Sequence, residues 1–183
     1  MSDINNLPNE LMVETFAHLE LNDLLRCMRV NKFFKTVTEH SAFDKMFFRT
    51  RFIKSSNPIN FDELHVNPAL DQLSYMCRCS IEDAVFLLKD HGELALIESI
   101  AAKQNATEPA VTRIIVRPYG DPNQEGRTES GQGVTVQDVM EGLCGYYEQG
   151  TPYYDECHYN FEGFYKTKND TEDELVLEIF WGS

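Results

Sequence analysis

Residues 7–48 read LPNELMVETFAHLELNDLLRCMRVNKFFKTVTEHSAFDKMFF, a stretch that carries apolar side chains at short, helix-like intervals. Pro8 fixes its own φ and lacks a backbone donor, so it suits the first turn of a helix. From Glu10 onward the apolar residues approximate helical spacing, which predicts a first helix.

Two further short helices are expected in the same stretch. Asn22 or Asp23 can accept hydrogen bonds from the free N–H groups of a second helix that begins at Leu24. A third helix should follow from Asn31. Three helices of this length have too little interior to hide all of their apolar side chains, so part of their surface should meet another protein.

The stretch resembles the F-box at several spaced positions. It has a leucine–proline opening at Leu7, an aspartate–leucine–leucine step at Asp23, an arginine–valine segment from Arg29 and an aromatic close. The resemblance covers about a quarter of the chain. It departs at Ala42 and Phe43, where the family often carries leucine and tryptophan, and Phe43 is a conservative replacement for a buried aromatic residue.

This resemblance implies docking onto the Skp1-type adaptor of a cullin-RING ubiquitin ligase, with a target protein recruited by the rest of the chain. The chain would then be the substrate-recruiting subunit of an SCF-type ligase and would do no chemistry itself. The residues expected to contact the adaptor are Leu7, Pro8, Leu11, Phe16, Leu19, Leu24, Leu25 and Val30.

The charge of the chain is divided unevenly. Residues 1–54 hold eight Lys/Arg and seven Asp/Glu, whereas residues 55–183 hold eight Lys/Arg and 23 Asp/Glu. An acidic second part repels nucleic acid and anionic membranes and favours basic partners, although solubility alone is the simpler explanation. There is no apolar run near the roughly 20 residues that span a bilayer and no signal-peptide pattern, so we expect a cytoplasmic and/or nuclear protein with no nucleic-acid or membrane partner.

No catalytic residue, metal ligand or cofactor is expected. The five cysteines are odd in number and scattered, which favours reduced thiols over disulfides. Residues 77–79 form a C-x-C pair without a second pair at metal-ligand spacing. Residues 155–158 (DECH) place a thiol and an imidazole beside two carboxylates, but neighbouring side chains diverge, and a polar loop is the better interpretation.

A small, polar segment at residues 54–58 (KSSNP) is the candidate linker between two domains. We therefore divide the chain into an F-box module at residues 1–54 and a domain at residues 60–183 that would recognise the substrate. The expected fold class is α+β, with three helices followed by a small antiparallel sheet and a packed helix.

The start of the second domain has patterns that fit more than one kind of secondary structure. Asn67 has the chemistry of a helix cap, with Pro68 at the first helical position. Residues 81–102 fit a helix, which a capping box of Ser80 and Asp83 would start, or a hairpin of two apolar strands. We favour the hairpin.

Later segments have clearer patterns. Val111 to Arg117 is β-branched and predicts a strand, whereas residues 120–133 are typical of an exposed loop. Thr135 and Asp138 have the spacing of a capping box for a helix that runs to Tyr147.

The C-terminal part predicts an antiparallel pair of strands, from Phe161 to Thr167 and from Leu175 to Trp181. In the last strand, apolar residues alternate with others, which is typical of a strand with one buried face. The residues expected on that face are Leu175, Leu177, Ile179 and Trp181.

The second domain also resembles an uncharacterised family of fungal proteins over most of residues 60–183. The motifs are NPAL at 67–70, LSY at 73–75, ATEP at 106–109, GVTVQDVM at 133–140, FEGF at 161–164 and FWGS at 180–183. The resemblance implies a fold, with a glycine–valine–threonine–valine helix start and a final hairpin, and a fungal origin. It implies no activity.

Aromatic residues are dense between residues 146 and 181 and should mostly form core, since they bury large areas. Tyrosines beyond what a thin layer can bury would suit a recognition groove. The candidate substrate-binding residues are Tyr147, Tyr153, Tyr154 and Tyr159.

A hypothesis from another class is a small enzyme or ligand-binding α+β domain whose helical module serves for dimerisation. A pocket with convergent polar groups in residues 60–183 would favour it. The F-box resemblance favours the adaptor, and neither hypothesis identifies a target.

Overall fold

A computed structural model describes residues 7–50, 60–76, 78–87, 92–118, 125–148, 160–168 and 174–182. The chain divides into two compact units, Met1–Thr50 and Arg51–Ser183. The linker expected at residues 54–58 lies outside the described residues. The α+β class is confirmed, because the first unit is helical and the second combines strands with a helix.

The first unit contains the three short helices that its sequence predicts. They are α1 (Asn9–Phe16), α2 (Leu21–Met28) and α3 (Lys32–Thr38), and a 3₁₀ turn follows at Ser41–Phe43. Pro8 holds the cap position of α1, where its carbonyl accepts from the Leu11 N–H at 3.1 Å. The side chain of Asn31 caps α3 by accepting from the Phe34 N–H at 2.8 Å.

The predicted start of the second helix is wrong. α2 begins at Leu21 rather than at Leu24, and Glu20 precedes it without a side-chain capping bond. Asn22 and Asp23 therefore lie inside the first turn and do not cap it. The physical reason is the apolar stripe, because Leu21 lies three residues before Leu24 and extends the same helical face by almost a turn.

The interior of the first unit is small. Its main buried apolar cluster consists of Met12, Phe16, Leu24, Val37, Phe43 and Phe47, and Phe48 is buried as well. Phe16 meets Phe34 edge to face, with ring centroids 5.2 Å apart. Phe43, which departs from the F-box pattern, is buried. The replacement therefore keeps a large aromatic side chain in the core.

The described residues of the second unit combine strands with a 13-residue helix, α4 (Val136–Glu148). The described strands are β1 (His65–Val66), β2 (Leu73–Ser74), β3 (Val85–Leu87), β4 (Glu93–Ala95), β5 (Thr107–Glu108), β6 (Arg113–Pro118), β7 (Gly126–Glu129), β8 (Asn160–Lys168) and β9 (Leu175–Gly182). The 3₁₀ turns are Phe61–Glu63, Ile81–Asp83, Leu96–Glu98 and Ile100–Lys103.

These strands form three sheets. β1 pairs with β5, β2–β3–β4 form an antiparallel sheet, and the largest sheet has the order β7–β6–β9–β8. The antiparallel pair of β8 and β9 is confirmed, with Lys168 opposite Leu175 and Asn160 opposite Gly182. β6 and β9 run parallel, so the largest sheet is mixed. The sequence patterns did not predict that pairing.

The predicted helix near Val136 is confirmed together with its capping box. The Thr135 side chain accepts from the Asp138 N–H at 3.1 Å, and the Asp138 carboxylate accepts from the Thr135 N–H at 2.8 Å. The fully buried face of α4 joins the main core of the unit through Val136, Val139, Met140 and Leu143.

Part of the loop predicted at residues 120–133 is a strand, since β7 pairs with β6. Glycine allows the close approach of this edge strand to α4, because a Cβ at Gly126 would lie 2.9 Å from the carbonyl oxygen of Gly142. Polar residues give β7 little strand propensity, so pairing with β6 overrides the local pattern.

Asn67 does not start a helix, contrary to its sequence pattern, and residues 68–70 form a turn. Its side chain is buried, accepts from the Ala69 N–H and donates to the Asn105 carbonyl, each at 3.0 Å. An asparagine that bonds its own backbone in this way closes a turn instead of starting a longer helix.

The hairpin preferred for residues 81–102 is confirmed by β3 and β4, where Phe86 lies opposite Leu94. The capping box of Ser80 and Asp83 forms as well, but it starts only a 3₁₀ turn. The capping box and the hairpin pattern are therefore both realised, and cross-strand packing of an apolar row makes most of the segment a hairpin instead of a helix.

β9 is buried on both faces, whereas alternation predicts one buried face. The predicted face joins the main core through Leu175, Leu177 and Ile179. On the other face Val176 is also fully buried and lies opposite Ile115 of β6. Glu178 on that face is paired with Arg117, whose Nη2 lies 2.7 Å from the carboxylate. Alternation finds the strand but does not tell whether its second face is covered.

Candidate partner-binding surface

The residues predicted to contact an adaptor separate into two groups. Leu24 and Phe16 are 0% and 4% exposed and belong to the core of the first unit, against which the half-buried Leu19 packs. The others remain open to solvent. This exposed apolar set consists of Leu7, Pro8, Leu11, Leu25 and Val30.

The start of α1 carries three members of the exposed apolar set. Leu7 and Leu11 are 43% and 49% exposed, and they flank Pro8 in the sequence. The hydrogen bond from the Leu11 N–H to the Pro8 carbonyl closes the first turn. Because the proline ring fixes φ at Pro8, it restricts how the chain can enter α1.

α2 and the residues after it carry the other two members. Successive residues on a helix point roughly 100° apart, so Leu24 enters the core while its neighbour Leu25 is 38% exposed. Val30 follows the end of α2 and is 65% exposed. Asp23 and Arg26 form an ion pair of 2.8 Å on the same helix. Such an exposed pair adds little stability but places polar groups beside apolar ones.

The candidate substrate-binding tyrosines are described only in part. Tyr147 is buried on α4, and its hydroxyl accepts from the indole N–H of Trp181 at 2.8 Å. Tyr153, Tyr154 and Tyr159 lie outside the described residues. Their part in target binding therefore stays a prediction, whereas Tyr147 has the surroundings of a core residue.

Trp181 lies at the centre of an aromatic cluster. Its ring centroid is 5.4 Å from that of Tyr147, 6.0 Å from that of Phe161 and 6.2 Å from that of Tyr75. The hydroxyl of Tyr75 donates to a backbone carbonyl at 2.7 Å and meets the Cys144 thiol at 3.4 Å. The Tyr75 hydroxyl and the Trp181 indole N–H each have a hydrogen-bond partner, which is the usual condition for burying polar atoms.

Two described carboxylates of the second unit, Glu178 and Asp71, have defined surroundings. Glu178 accepts from both Nε and Nη2 of Arg117, at 3.0 and 2.7 Å. Partial burial raises the pKa of Asp71, and a hydrogen bond from the Phe164 backbone acts in the opposite direction. Among the described residues, no group of three His, Cys, Asp or Glu side chains could hold a metal ion.

Residues 4–49 match the family model of F-box-like domains, so the chain carries an F-box-like domain at its N-terminal end. The match includes every member of the exposed apolar set. No curated protein and no solved structure matches the chain. The fungal resemblance of residues 60–183 gains no support from these comparisons. None of the described helices is long and apolar enough to cross a membrane.

Proposed function

We propose that this chain is the substrate-recruiting subunit of an SCF-type ubiquitin ligase. Its F-box-like domain would bind a Skp1-type adaptor and through it a cullin, and its second unit would bind a target protein. The proposal is carried by one coincidence: the residues matched by the F-box-like model include apolar side chains that the first unit leaves exposed. In this role the chain is an adaptor and not an enzyme.

The exposed apolar set has the chemistry that such binding needs. Covering a large aliphatic side chain completely is worth about 1.5–3 kcal/mol, so half-exposed leucines and a valine offer several kcal/mol together. Leu24 and Phe16 have a different role in this proposal, because they hold the helices in place without reaching the partner. A substitution at Leu24 would test the fold of the unit rather than its interface.

The test is titration calorimetry of the full chain with a purified Skp1-type adaptor. We expect a one-to-one complex for the wild type. Leu25→Glu combined with Val30→Glu should raise Kd at least 100-fold, since each charge would be buried without a partner. Both residues are exposed in the free chain, so its circular dichroism and melting should stay close to those of the wild type.

Ile100→Glu is the matched control. Ile100 is 64% exposed, close to the 65% of Val30, but it lies in the second unit. Its variant should bind the adaptor like the wild type. Unchanged binding by the Leu25→Glu/Val30→Glu variant, or no binding by the wild type, would count against the proposal. Sedimentation of the free chain then tests dimerisation through the helices, which the other hypothesis requires.

A further inference from the structure

The sheet β2–β3–β4 has one face towards the core of the second unit and one away from it. Leu73, Phe86 and Leu94 lie opposite one another across the three strands. Leu73 is buried in the main core and Phe86 packs against it, so this row points inward. Successive strand residues point to opposite faces, and the residues beside this row therefore point outward.

The outward residues form two rows that the hairpin prediction did not identify. Every second side chain of a strand points to the same face, and this periodicity was the sequence feature that could have indicated the two outward rows. We call them the outer sheet face, which consists of Ser74, Val85, Leu87, Glu93 and Ala95. Val85 and Ala95 are half-buried, and Leu87 is 67% exposed. The centre of this face is apolar.

Carboxylates lie at both ends of the outer sheet face. Glu93 is exposed and lies opposite Leu87 at one end. At the other end, the turn that carries Glu82 precedes β3 and the turn that carries Glu98 follows β4, and both carboxylates are exposed. The two ends are separated by a three-residue strand, roughly 10 Å.

The edge of this sheet also suits an extended partner. β4 is an edge strand of the described sheet. The Leu96 N–H donates to the Ala84 carbonyl at 2.8 Å, which makes these two residues a hydrogen-bonded pair. Along an antiparallel ladder such pairs alternate with pairs that exchange no hydrogen bond, so Phe86 and Leu94 are the next hydrogen-bonded pair. The backbone groups of Glu93 then point away from β3. A strand added at such an edge gains main-chain hydrogen bonds and aligns its side chains with the face.

We propose that the outer sheet face is the docking site for the target and that its occupant is an extended basic segment with alternating apolar side chains. This rests on the function proposed above. The apolar side chains would cover Leu87 and Val85, while flanking Lys or Arg residues would meet Glu93 at one end and Glu82 with Glu98 at the other.

Charge complementarity selects this occupant. Residues 55–183 hold 23 Asp/Glu against eight Lys/Arg, so a basic segment is attracted to this unit over its whole approach. A second copy of the chain would bring carboxylates against carboxylates at this face. Repulsion between these carboxylates therefore disfavours a second copy of the chain as the occupant.

The test uses three labelled nine-residue peptides and fluorescence anisotropy with the full chain. The first has the sequence Lys-Arg-Leu-Ser-Val-Ser-Leu-Arg-Lys. The second has Glu at each basic position, and the third has Ser at each apolar position. We expect the first peptide to bind at least tenfold more tightly than either of the others. Equal binding of the second peptide would overturn the charge argument, and equal binding of the third would overturn the apolar one.

Variants locate the binding. Leu87→Ser and Glu93→Lys should each weaken the first peptide at least tenfold. The matched controls are Tyr165→Ser, at a residue 62% exposed on β8, and Glu141→Lys, at an exposed acid on α4. Both should bind within twofold of the wild type. Equal losses in the controls, or a dimer of the free chain that Leu87→Ser dissociates, would overturn the inference.

Adaptor binding in the same samples separates the two proposals. Leu25→Glu/Val30→Glu should lose the adaptor and keep the peptide, whereas Leu87→Ser should do the reverse. A wild-type chain that binds the adaptor and not the first peptide overturns only the docking site. One that binds the peptide and not the adaptor overturns the ligase role instead.

Discussion

The first unit buries its apolar side chains less completely than the second. Its core is a few side chains from three helices of eight, eight and seven residues and from the turns that follow them, and four large apolar residues of the helices and their flanks remain exposed. The much longer second unit exposes five among its described residues. The second unit gathers its core from several strands and from α4, four of whose apolar residues are fully buried. Helices this short are unstable by themselves, so the first unit depends on a handful of contacts.

The difference indicates a division of roles. A unit that keeps apolar side chains outside gains less from folding alone and more from a partner. A unit with a larger core can hold its surface residues in place without help. If this comparison is right, equal losses of core contact should have unequal consequences in the two units.

The largest effect should come from shortening one fully buried leucine in each unit. Leu24→Ala and Leu177→Ala should each cost about 3–4 kcal/mol, since both side chains are fully buried. The first should unfold its unit, and the second should leave its own unit folded but less stable. Trp181 is the single tryptophan of the chain and lies in the second unit, so its fluorescence reports that unit alone.

The control is the comparison of fluorescence with far-ultraviolet circular dichroism in urea. For Leu24→Ala, helical signal should be lost at low urea while the tryptophan transition keeps its midpoint. Coincident transitions would contradict the comparison, because they would mean that the two units unfold as one.

Trp181→Ala should cost about 2–3 kcal/mol, a slightly smaller effect because the side chain is only partly buried. The variant loses three aromatic contacts and the hydrogen bond to Tyr147. Urea unfolding followed by circular dichroism measures the loss. Trp181→Phe is the control and should lose less, since it keeps an aromatic ring. Adaptor binding should be unchanged in both variants, and an unchanged midpoint for Trp181→Ala would show that the C-terminal strand is not packed.

Sequence patterns predicted the helices and strands better than they predicted how these elements pair and pack. The capping box at Thr135 and the alternation in β9 are local, so both were found. The parallel pairing of β6 with β9 and the strand at Gly126 depend on residues distant in the chain, which no local pattern encodes.

The candidate site was predicted in the same uneven way. The F-box pattern located the exposed apolar set but did not separate it from Leu24 and Phe16, because leucine and phenylalanine have the same helical spacing whether they face a core or a partner. Only the packed helices distinguish the two groups. The outer sheet face was not predicted, because the hairpin pattern consists of two continuous apolar runs, and a continuous run does not tell which of its side chains face outward.

Smaller effects should come from the two helix caps. Asn31→Ala and Thr135→Ala each remove a side-chain bond to a free N–H, at the start of α3 and of α4, and should each cost about 1 kcal/mol. Melting of the full chain measures both. Serine at either position is the control and should restore most of the loss. We expect only Asn31→Ala to weaken adaptor binding, and equal weakening by Thr135→Ala would contradict the separation of the units.

The smallest effect concerns Asp71, whose pKa is raised above its usual 3.8 because partial burial disfavours the charged carboxylate. As the pH rises past 3.8, the unfolded chain releases this proton first, so the folded state holds more protons and stability falls until the folded pKa is passed. Asp71→Asn removes that loss and should stabilise the second unit at pH 7 by less than about 1 kcal/mol, since solvent screens the largely exposed group.

Urea unfolding at pH 3, 5 and 7 measures the effect of Asp71→Asn, and its advantage over the wild type should shrink towards pH 3, where the aspartic acid is neutral. Asp71→Ala is the control. Asparagine keeps an oxygen that can accept from the Phe164 N–H, whereas alanine does not, so the alanine variant should be less stable than the asparagine variant at every pH. The opposite result is an asparagine variant less stable than the wild type, with a difference in free energy of unfolding that grows from pH 3 to pH 7. It would mean that the hydrogen bond to the charged carboxylate outweighs the cost of its desolvation.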